Sequence, residues 1–284
     1  MEFINGGELF WHLNETGKFA EDRARFYAAE LILALEYLHE KGIVYRDMKP
    51  ENVLIDSEGH VKLTDFGLSK DGLDQQNNLT ESFVGTTEYL APEIINDKQY
   101  SYSVDWYGLG IVLFEMLSGV NPLKMIEKES FVDQMNAVLQ TEFKLPEACS
   151  PEAKHLCAEL LIKDPKQRIG CREGGVNELK QHPFFKGVEW QSLYRREVRP
   201  PYEPQIQSST DTQNIDDEFL KELPEETPEQ VTELMKVHNT DQLFQNFSFV
   251  NPSHGQSTQE AQDEYTASSL QLQKNASYTQ EPPE

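Results

Sequence analysis

The chain has 284 residues, a formal net charge of −24 and 38% hydrophobic residues, values typical of a soluble globular protein. The acidic balance argues against a general nucleic-acid binder, because such proteins present a basic face. The longest mostly apolar run, residues 109–117, is too short to span a bilayer, and three scattered cysteines cannot form a disulfide framework.

The first elements of the chain are predicted to be helical. Residues 1–16 predict a short extended stretch that leads into the start of an amphipathic helix. The segment 21–42 predicts a long helix, because Tyr27 and Leu31 fall on one helical face and acidic residues open it. Gly42 follows the expected end of this helix, where glycine is the commonest residue.

A hairpin and a buried helix follow. The stretch VLIDSEGHVKLT, residues 53–64, predicts two short strands around a Ser-Glu-Gly turn. Residues 104–118 are apolar nearly all round, which predicts a helix buried in the middle of a domain. Helical segments are expected to continue to about His182. From Gly187 the chain becomes proline-rich and acidic, and after Asn251 it is Gln/Ser/Thr-rich without periodicity, which is typical of disorder.

The loop YRDMKPEN, residues 45–52, carries the side chains that phosphoryl transfer needs. That reaction uses a carboxylate to orient the attacking hydroxyl, a cation near the transferred phosphate, and oxygen ligands for Mg²⁺. Asp47, Lys49 and Asn52 offer these groups within one short loop. Asp65, at the end of a predicted strand and followed by Phe-Gly, offers a second metal ligand.

These motifs resemble those of protein kinases. The order Arg-Asp-x-Lys-Pro-x-Asn, then Asp-Phe-Gly, then Ala-Pro-Glu at 91–93 is the protein-kinase signature set. The stretches FYAAELILALEYLH (26–39) and VGTTEYLAPE (84–93) resemble the AGC group of serine/threonine protein kinases. Within that group the chain is most similar to protein kinase B, the serum/glucocorticoid-regulated kinases and the ribosomal-protein kinases, over about residues 1–249.

The resemblance implies an α+β, protein-kinase-like fold. It implies that the chain holds the mainly α-helical C-terminal lobe with short β-hairpins, and that the N-terminal lobe is missing. Residues 1–16 would form the hinge and the start of the C-terminal lobe. Residues 17–186 would form that lobe, with the catalytic loop at 45–52 and the activation segment at 65–93. Residues 187–249 would be the AGC C-terminal tail with its turn and hydrophobic motifs, and residues 250–284 a disordered tail.

The resemblance also implies roles for individual residues in binding ATP and Mg²⁺. Asp47, Lys49, Asn52, Asp65 and Thr86 would be catalytic, with the Thr86 hydroxyl bonded to Asp47 and Lys49. Asn52 and Asp65 would hold the metal. The implied ATP-binding residues are Glu2, Ile4, Glu8, Lys49, Glu51, Asn52, Leu54, Thr64 and Asp65.

A substrate preference follows from the resemblance and from charge. Glu8, Glu51 and Glu115 match positions that face arginines in basophilic relatives, and Leu90 would shape the pocket for the residue after the phosphoacceptor. Arginine–carboxylate pairs are directional and strong enough to select peptides. The alternative is that these are ordinary solvated surface glutamates.

Three phosphorylation sites are implied, together with an upstream activating kinase as a partner. Ser82 lies in the activation segment, where Arg46 and Lys70 would receive its phosphate through charge-assisted bonds. Thr227 matches the turn-motif site. Ser248 lies in FQNFSF, which matches the hydrophobic motif. Thr227 and the aromatic motif are alternatively mere linker features.

The function implied is an ATP-dependent serine/threonine kinase of basic proteins, in the cytoplasm or alternatively the nucleus, with no nucleic-acid partner. No glycine-rich loop or strand lysine lies in the sequence, so ATP would sit on an open, wet surface and the fragment is expected to be inactive. The alternative is a truncated kinase that acts as a regulatory binding module.

The resemblance also implies two structural contacts. Asp105 would support the catalytic loop, and Glu93 would form a buried ion pair with Arg168.

Overall fold

The computed structural model describes residues 2–72, 85–96, 98–126, 130–216 and 220–221. All of them belong to one compact unit, Met1–Glu222. The helices are α1 Leu9–Thr16, α2 Glu21–Glu40, α3 Pro92–Ile95, α4 Ser103–Ser118, α5 Phe131–Gln140, α6 Pro151–Leu160, α7 Gly175–Lys180 and α8 Trp190–Tyr194. Short 3₁₀ turns lie at Pro50–Asn52, Thr87–Tyr89 and Pro183–Phe185, and the strands are β1 Val53–Ile55 and β2 Val61–Leu63.

The long helix predicted after residue 20 is confirmed as α2. Glu21 and Asp22 occupy its first turn, where negative charge is favourable to the helix dipole. Tyr27 and Leu31 are fully buried on its inner face. The chain leaves the helix through Gly42, whose positive φ of 74° is the left-handed conformation that glycine adopts without steric cost.

The predicted hairpin is confirmed as an antiparallel pair in which Val53 faces Leu63 and Ile55 faces Val61. Its turn is closed by the Asp56 carboxylate, which accepts the backbone N–H groups of Glu58 and His60 at 3.0 and 3.1 Å. Because the two strands pair directly, the residues just before β1 and just after β2 lie side by side.

The central helix α4 is confirmed as buried along nearly its whole length. Two of its glycines let other segments approach closely. A Cβ on Gly108 would lie 2.8 Å from the Met48 side chain of the catalytic loop, and a Cβ on Gly110 would lie 2.8 Å from the Leu160 side chain of α6. These glycines therefore serve packing.

The structure confirms a mainly helical fold with a small antiparallel sheet. Helical structure also continues past His182 into α8, further than the periodicity predicts. α8 is too short to show a periodic pattern in the sequence. It is anchored to the rest of the fold because Leu193 is buried and the Trp190 ring packs edge-on against the Phe185 ring, with 5.4 Å between the ring centres. Among the described residues, no helix combines the length and apolar character needed to cross a membrane.

Candidate active site

The catalytic loop is fastened to α4 by one buried carboxylate. The two oxygens of Asp105 accept the backbone N–H groups of Tyr45 at 2.9 Å and Arg46 at 2.8 Å. The Nε2 of His39, at the end of α2, lies 2.7 Å from the same carboxylate. Arg46 has a positive φ of 71°, which costs energy for a residue with a side chain and persists because these contacts hold the loop.

Asp47 stands at the centre of a network that joins the predicted catalytic residues. Its carboxylate accepts the Asn52 amide at 2.7 Å, lies 3.0 Å from the Lys49 ammonium and accepts the Thr86 hydroxyl at 3.2 Å. Lys49 also donates to Thr86 at 3.1 Å. Asp47 is buried, and these three contacts hold its carboxylate in one orientation.

Asp65 lies beside this network, because Thr64 donates its backbone N–H to the Asn52 carbonyl at 3.0 Å across the hairpin base. Its side chain is exposed, and one carboxylate oxygen accepts the Gly67 N–H at 3.1 Å. The Tyr45 hydroxyl donates to the Thr64 carbonyl. Burial raises the pKa of Tyr45, and the negative charges of Asp47 and Asp65 act in the same direction.

The donor atoms left over fit a hard divalent cation. The Asn52 amide nitrogen is used on Asp47, which leaves its carbonyl oxygen for a ligand. One carboxylate oxygen of Asp65 carries the Gly67 bond and the other has no partner among the described residues. Oxygen donors of this kind are those that Mg²⁺ prefers.

A cavity of about 320 Å³ opens between the start of the chain, the catalytic loop and the segment that follows α8. Four predicted nucleotide or substrate residues line it, namely Ile4, Glu8, Glu51 and Leu54. Its other walls are Gly7, Phe10, Trp11, Asn214, Ile215 and Asp216. Apolar walls with a few polar groups are typical of nucleotide-sized pockets.

The remaining predicted nucleotide residues are placed differently. Glu2 is exposed, and its carboxylate pairs with the Lys62 ammonium on β2 at 2.9 Å. Thr64 is half-buried at the end of β2, and neither it nor Asp65 is among the residues that line the cavity. Their contact with ATP stays a prediction.

The predicted substrate carboxylates form one acidic region. Burial raises the pKa of Glu8, and the nearby Glu51 and Asp216 raise it further, whereas Lys49 lowers it. Burial likewise raises the pKa of Glu115, whose carboxylate accepts the Tyr89 hydroxyl at 2.8 Å.

Glu51 lies between the two, and one of its carboxylate oxygens is buried without a hydrogen-bond partner. Leu90 is buried, and its side chain lies against Gly85, where a Cβ would come within 2.9 Å. Leu90 could therefore influence a substrate only through the shape of the surface above it.

The predicted phosphosites Ser82, Thr227 and Ser248 lie outside the described residues. Of the two cations expected to meet Ser82, Arg46 donates to the Leu68 carbonyl at 2.6 Å and to the Tyr100 hydroxyl at 3.2 Å. The backbone of Lys70 forms an isolated bridge with Val44.

The predicted tie between Glu93 and Arg168 is present and fully buried. The guanidinium donates to both oxygens of Glu93, at 2.7 and 2.9 Å. It also donates to the carbonyls of Ser103 at 2.7 Å and Ile162 at 3.0 Å. This pair joins the end of the activation segment to the loop after α6.

Two sets of contacts around the site were missed in the sequence. His39 carries no motif that distinguishes it from other histidines, yet it meets Asp105. The segment after α8 returns to the chain start, where Asn214 donates to the Asn5 carbonyl at 3.2 Å and Asn5 donates to the Ser208 carbonyl at 3.1 Å. Gly7 makes room for it, because a Cβ there would lie 2.1 Å from the Asn214 carbonyl. No local pattern signals such distant pairs.

Comparison with known proteins gives two family matches. Residues 1–185 match the protein kinase domain, and residues 206–249 match the protein kinase C terminal domain. The chain is 44% identical over 249 residues to a RAC serine/threonine-protein kinase of Drosophila melanogaster, which covers 88% of this chain and 40% of that protein. It is 43% identical over 251 residues to the human RAC-beta serine/threonine-protein kinase, covering 88% of this chain and 51% of the relative. The chain thus spans about half the length of the curated relatives it matches.

Proposed function

Because the chain belongs to the protein kinase family, and to its AGC group, we propose that it is part of an ATP-dependent serine/threonine kinase that acts on arginine-containing proteins. The observation that carries this proposal is the network around Asp47. One buried carboxylate is contacted by an ammonium, an amide and a hydroxyl from Lys49, Asn52 and Thr86. Phosphoryl transfer is mostly a matter of positioning and charge, and this network supplies both.

In the proposed reaction, Asp47 accepts the proton of the substrate hydroxyl as that oxygen attacks the terminal phosphate of ATP, and the bond from this phosphorus to the bridging oxygen breaks so that ADP leaves. The Asn52 amide and the Thr86 hydroxyl hold the carboxylate in place, which lowers the entropy cost of reaching the reactive geometry. The Lys49 ammonium, 3.0 Å from Asp47, would balance negative charge on the transferred phosphate.

Mg²⁺ would be held by the oxygens of Asn52 and Asp65. Bound there, it would neutralise charge on the phosphates. The purine would take the cavity bounded by Ile4, Leu54 and Ile215, since its walls are largely apolar.

The preference for basic substrates rests on Glu8, Glu51 and Glu115. Glu51 is close enough to Glu8 and to Glu115 that its negative charge raises the pKa of each. A guanidinium placed between them would relieve this repulsion and satisfy the buried, unpartnered oxygen of Glu51. The phosphosites Ser82, Thr227 and Ser248, an upstream kinase that modifies them and a cytoplasmic location remain part of the proposal.

The test is phosphate transfer from Mg²⁺-ATP to a serine peptide with arginines on its N-terminal side. The 284 residues alone should transfer little or no phosphate, because they include no glycine-rich loop or strand lysine to cover the nucleotide. Reading the genomic frame upstream of Met1 tells whether such a segment is encoded. A protein that includes it should be active, whereas a stop codon close upstream would favour the regulatory binding module instead.

The controls separate the chemistry from the fold. In the active protein, Asp47→Asn should lower the rate by about two to four orders of magnitude, since the carboxylate can no longer take the proton. Glu58→Gln, which changes an exposed carboxylate at the hairpin turn, should leave the rate unchanged. Equal activity of Asp47→Asn and the parent protein would refute the proposed role.

A further inference from the structure

A groove of about 320 Å³ lies between α2, α7 and α8, and the candidate active site uses none of its residues. The α2 wall consists of Leu33, Glu36, Tyr37 and Glu40. These residues are spaced three and four apart along the helix, so they share one face. Leu33 packs against the core, whereas Glu40 is exposed and Tyr37 is 54% exposed.

The opposite wall presents two aromatic residues from α8, Trp190 and Tyr194, which are one helical turn apart. Trp190 is anchored by its edge-on contact with Phe185 at 5.4 Å. Tyr194 is 68% exposed, the highest value among the large hydrophobic residues that the structure describes. A groove lined by a half-buried and an exposed aromatic residue is more typical of interaction sites than of ordinary surface.

Two lysine side chains at the groove already contact its aromatic rings. The Lys180 ammonium lies 5.4 Å from the centre of the Trp190 ring and pairs with Glu36. The Lys41 ammonium lies 5.4 Å from the centre of the Tyr37 ring. Both lysines are therefore engaged, and their contacts show that these rings are oriented to accept positive charge.

The groups that remain are an aromatic ring and a carboxylate. Among the described residues, the Tyr194 ring has no cation or ring partner and the Glu40 carboxylate has no ion-pair partner. Both bind cations, the first through its negative ring face and the second through charge. The net charge of −24 would also attract a basic partner.

We propose that this groove binds a lysine- or arginine-bearing segment of a partner protein. The cationic head would lie over Tyr194 and against Glu40, and its aliphatic stem would pack on Leu33 and Tyr37. An acidic segment fits less well, because it would have to draw Lys41 and Lys180 away from their present contacts. The proposal does not depend on the kinase assignment.

The test is direct binding, measured without ATP by fluorescence polarisation. The probes are a dye-labelled peptide Gly-Ser-Arg-Lys-Arg-Ser-Gly and two matched peptides in which glutamine or glutamate replaces every basic residue. A salt concentration of about 0.15 M limits the reach of non-specific charge attraction to about 8 Å. The basic peptide should bind saturably, and the glutamine and glutamate peptides should bind at least tenfold more weakly or not at all.

Variants then locate the site. Tyr194→Ala and Glu40→Gln should each weaken binding of the basic peptide about two- to fivefold, and together about tenfold. Tyr194→Phe keeps the ring, and Glu15→Gln removes an equal charge from the exposed face of α1, so both should bind like the parent. All these side chains are exposed, and unchanged thermal unfolding will show that the fold is intact.

Three results would overturn the proposal. They are the absence of saturable binding of the basic peptide, tighter binding of the glutamate peptide than of the basic peptide, and an affinity for the basic peptide that Tyr194→Ala and Glu40→Gln leave unchanged. Loss of binding in Glu51→Gln, with no effect of Tyr194→Ala, would place the peptide at the candidate active site instead. That outcome would leave the proposed kinase function standing, so the two proposals fail separately.

Discussion

Replacing Arg168 by methionine should be among the most damaging single changes in this fold. The Arg168 side chain is 0% exposed, and its removal leaves the Glu93 carboxylate, in a residue only 3% exposed, with the Ser103 hydroxyl at 2.8 Å as its remaining partner. The carbonyls of Ser103 and Ile162 lose their donor as well. Breaking a buried ion pair from one side typically costs about 3–5 kcal/mol, against a total stability of about 5–15 kcal/mol.

The measurement is urea unfolding followed by circular dichroism, together with thermal unfolding. For a unit of this size the loss corresponds to a fall in Tm of roughly 6–20 °C. The double variant Glu93→Met/Arg168→Met should lose clearly less than the sum of the two single variants, because no charge is left buried and unpaired.

The control is Arg199→Met, which breaks an exposed arginine–glutamate pair with Glu203 and should change nothing measurable. Two outcomes would refute the reasoning. One is a loss below about 1 kcal/mol for Arg168→Met, and the other is simple additivity in the double variant.

Three further predictions address the site and its surroundings. Burial lowers the pKa of His12 to about 4, and the charge of Arg23 also lowers it. Between pH 6.5 and pH 4, His12 therefore binds a proton in the unfolded chain but not in the folded protein. The His12 contribution to stability in urea unfolding should therefore fall by at most about 1.4 kcal/mol per pH unit from pH 6.5 towards 4, and His12→Gln should make the measured slope shallower by that amount. In an active kinase, Thr86→Val should lower kcat about tenfold or more while Thr86→Ser, which keeps the hydroxyl, retains activity. Gly7→Ala should speed proteolysis near Asn214, because a Cβ at a φ of 84° would lie 2.1 Å from that residue's carbonyl.

The fold was predictable where the pattern is local and long. The buried faces of α2 and α4 follow from helical periodicity, and the hairpin follows from a turn between two β-forming stretches. α8 was missed because five residues are too few for periodicity to register, and its position depends on Phe185 and other side chains already in place.

The candidate site divides in the same way. The contacts of Asp47 with Lys49 and Asn52 span two and five residues, so the backbone of one short loop sets them and the motif reveals them. The Thr86 contact was expected because the resemblance implies it. The role of His39 beside Asp105 was not, because no sequence pattern states which histidine will reach which carboxylate across 66 residues.

The sequence by itself determined the residue types of the catalytic loop, the helical and strand periods, and the family, since each depends on the order of neighbouring residues. Only the tertiary structure decided what those elements face. It brought Asn214 against Asn5 across 209 positions and set Tyr194 opposite Tyr37 in one groove. The physical reason is that hydrogen bonds within a loop or helix follow from its backbone, whereas contacts between elements depend on how buried side chains of every element fill one shared core.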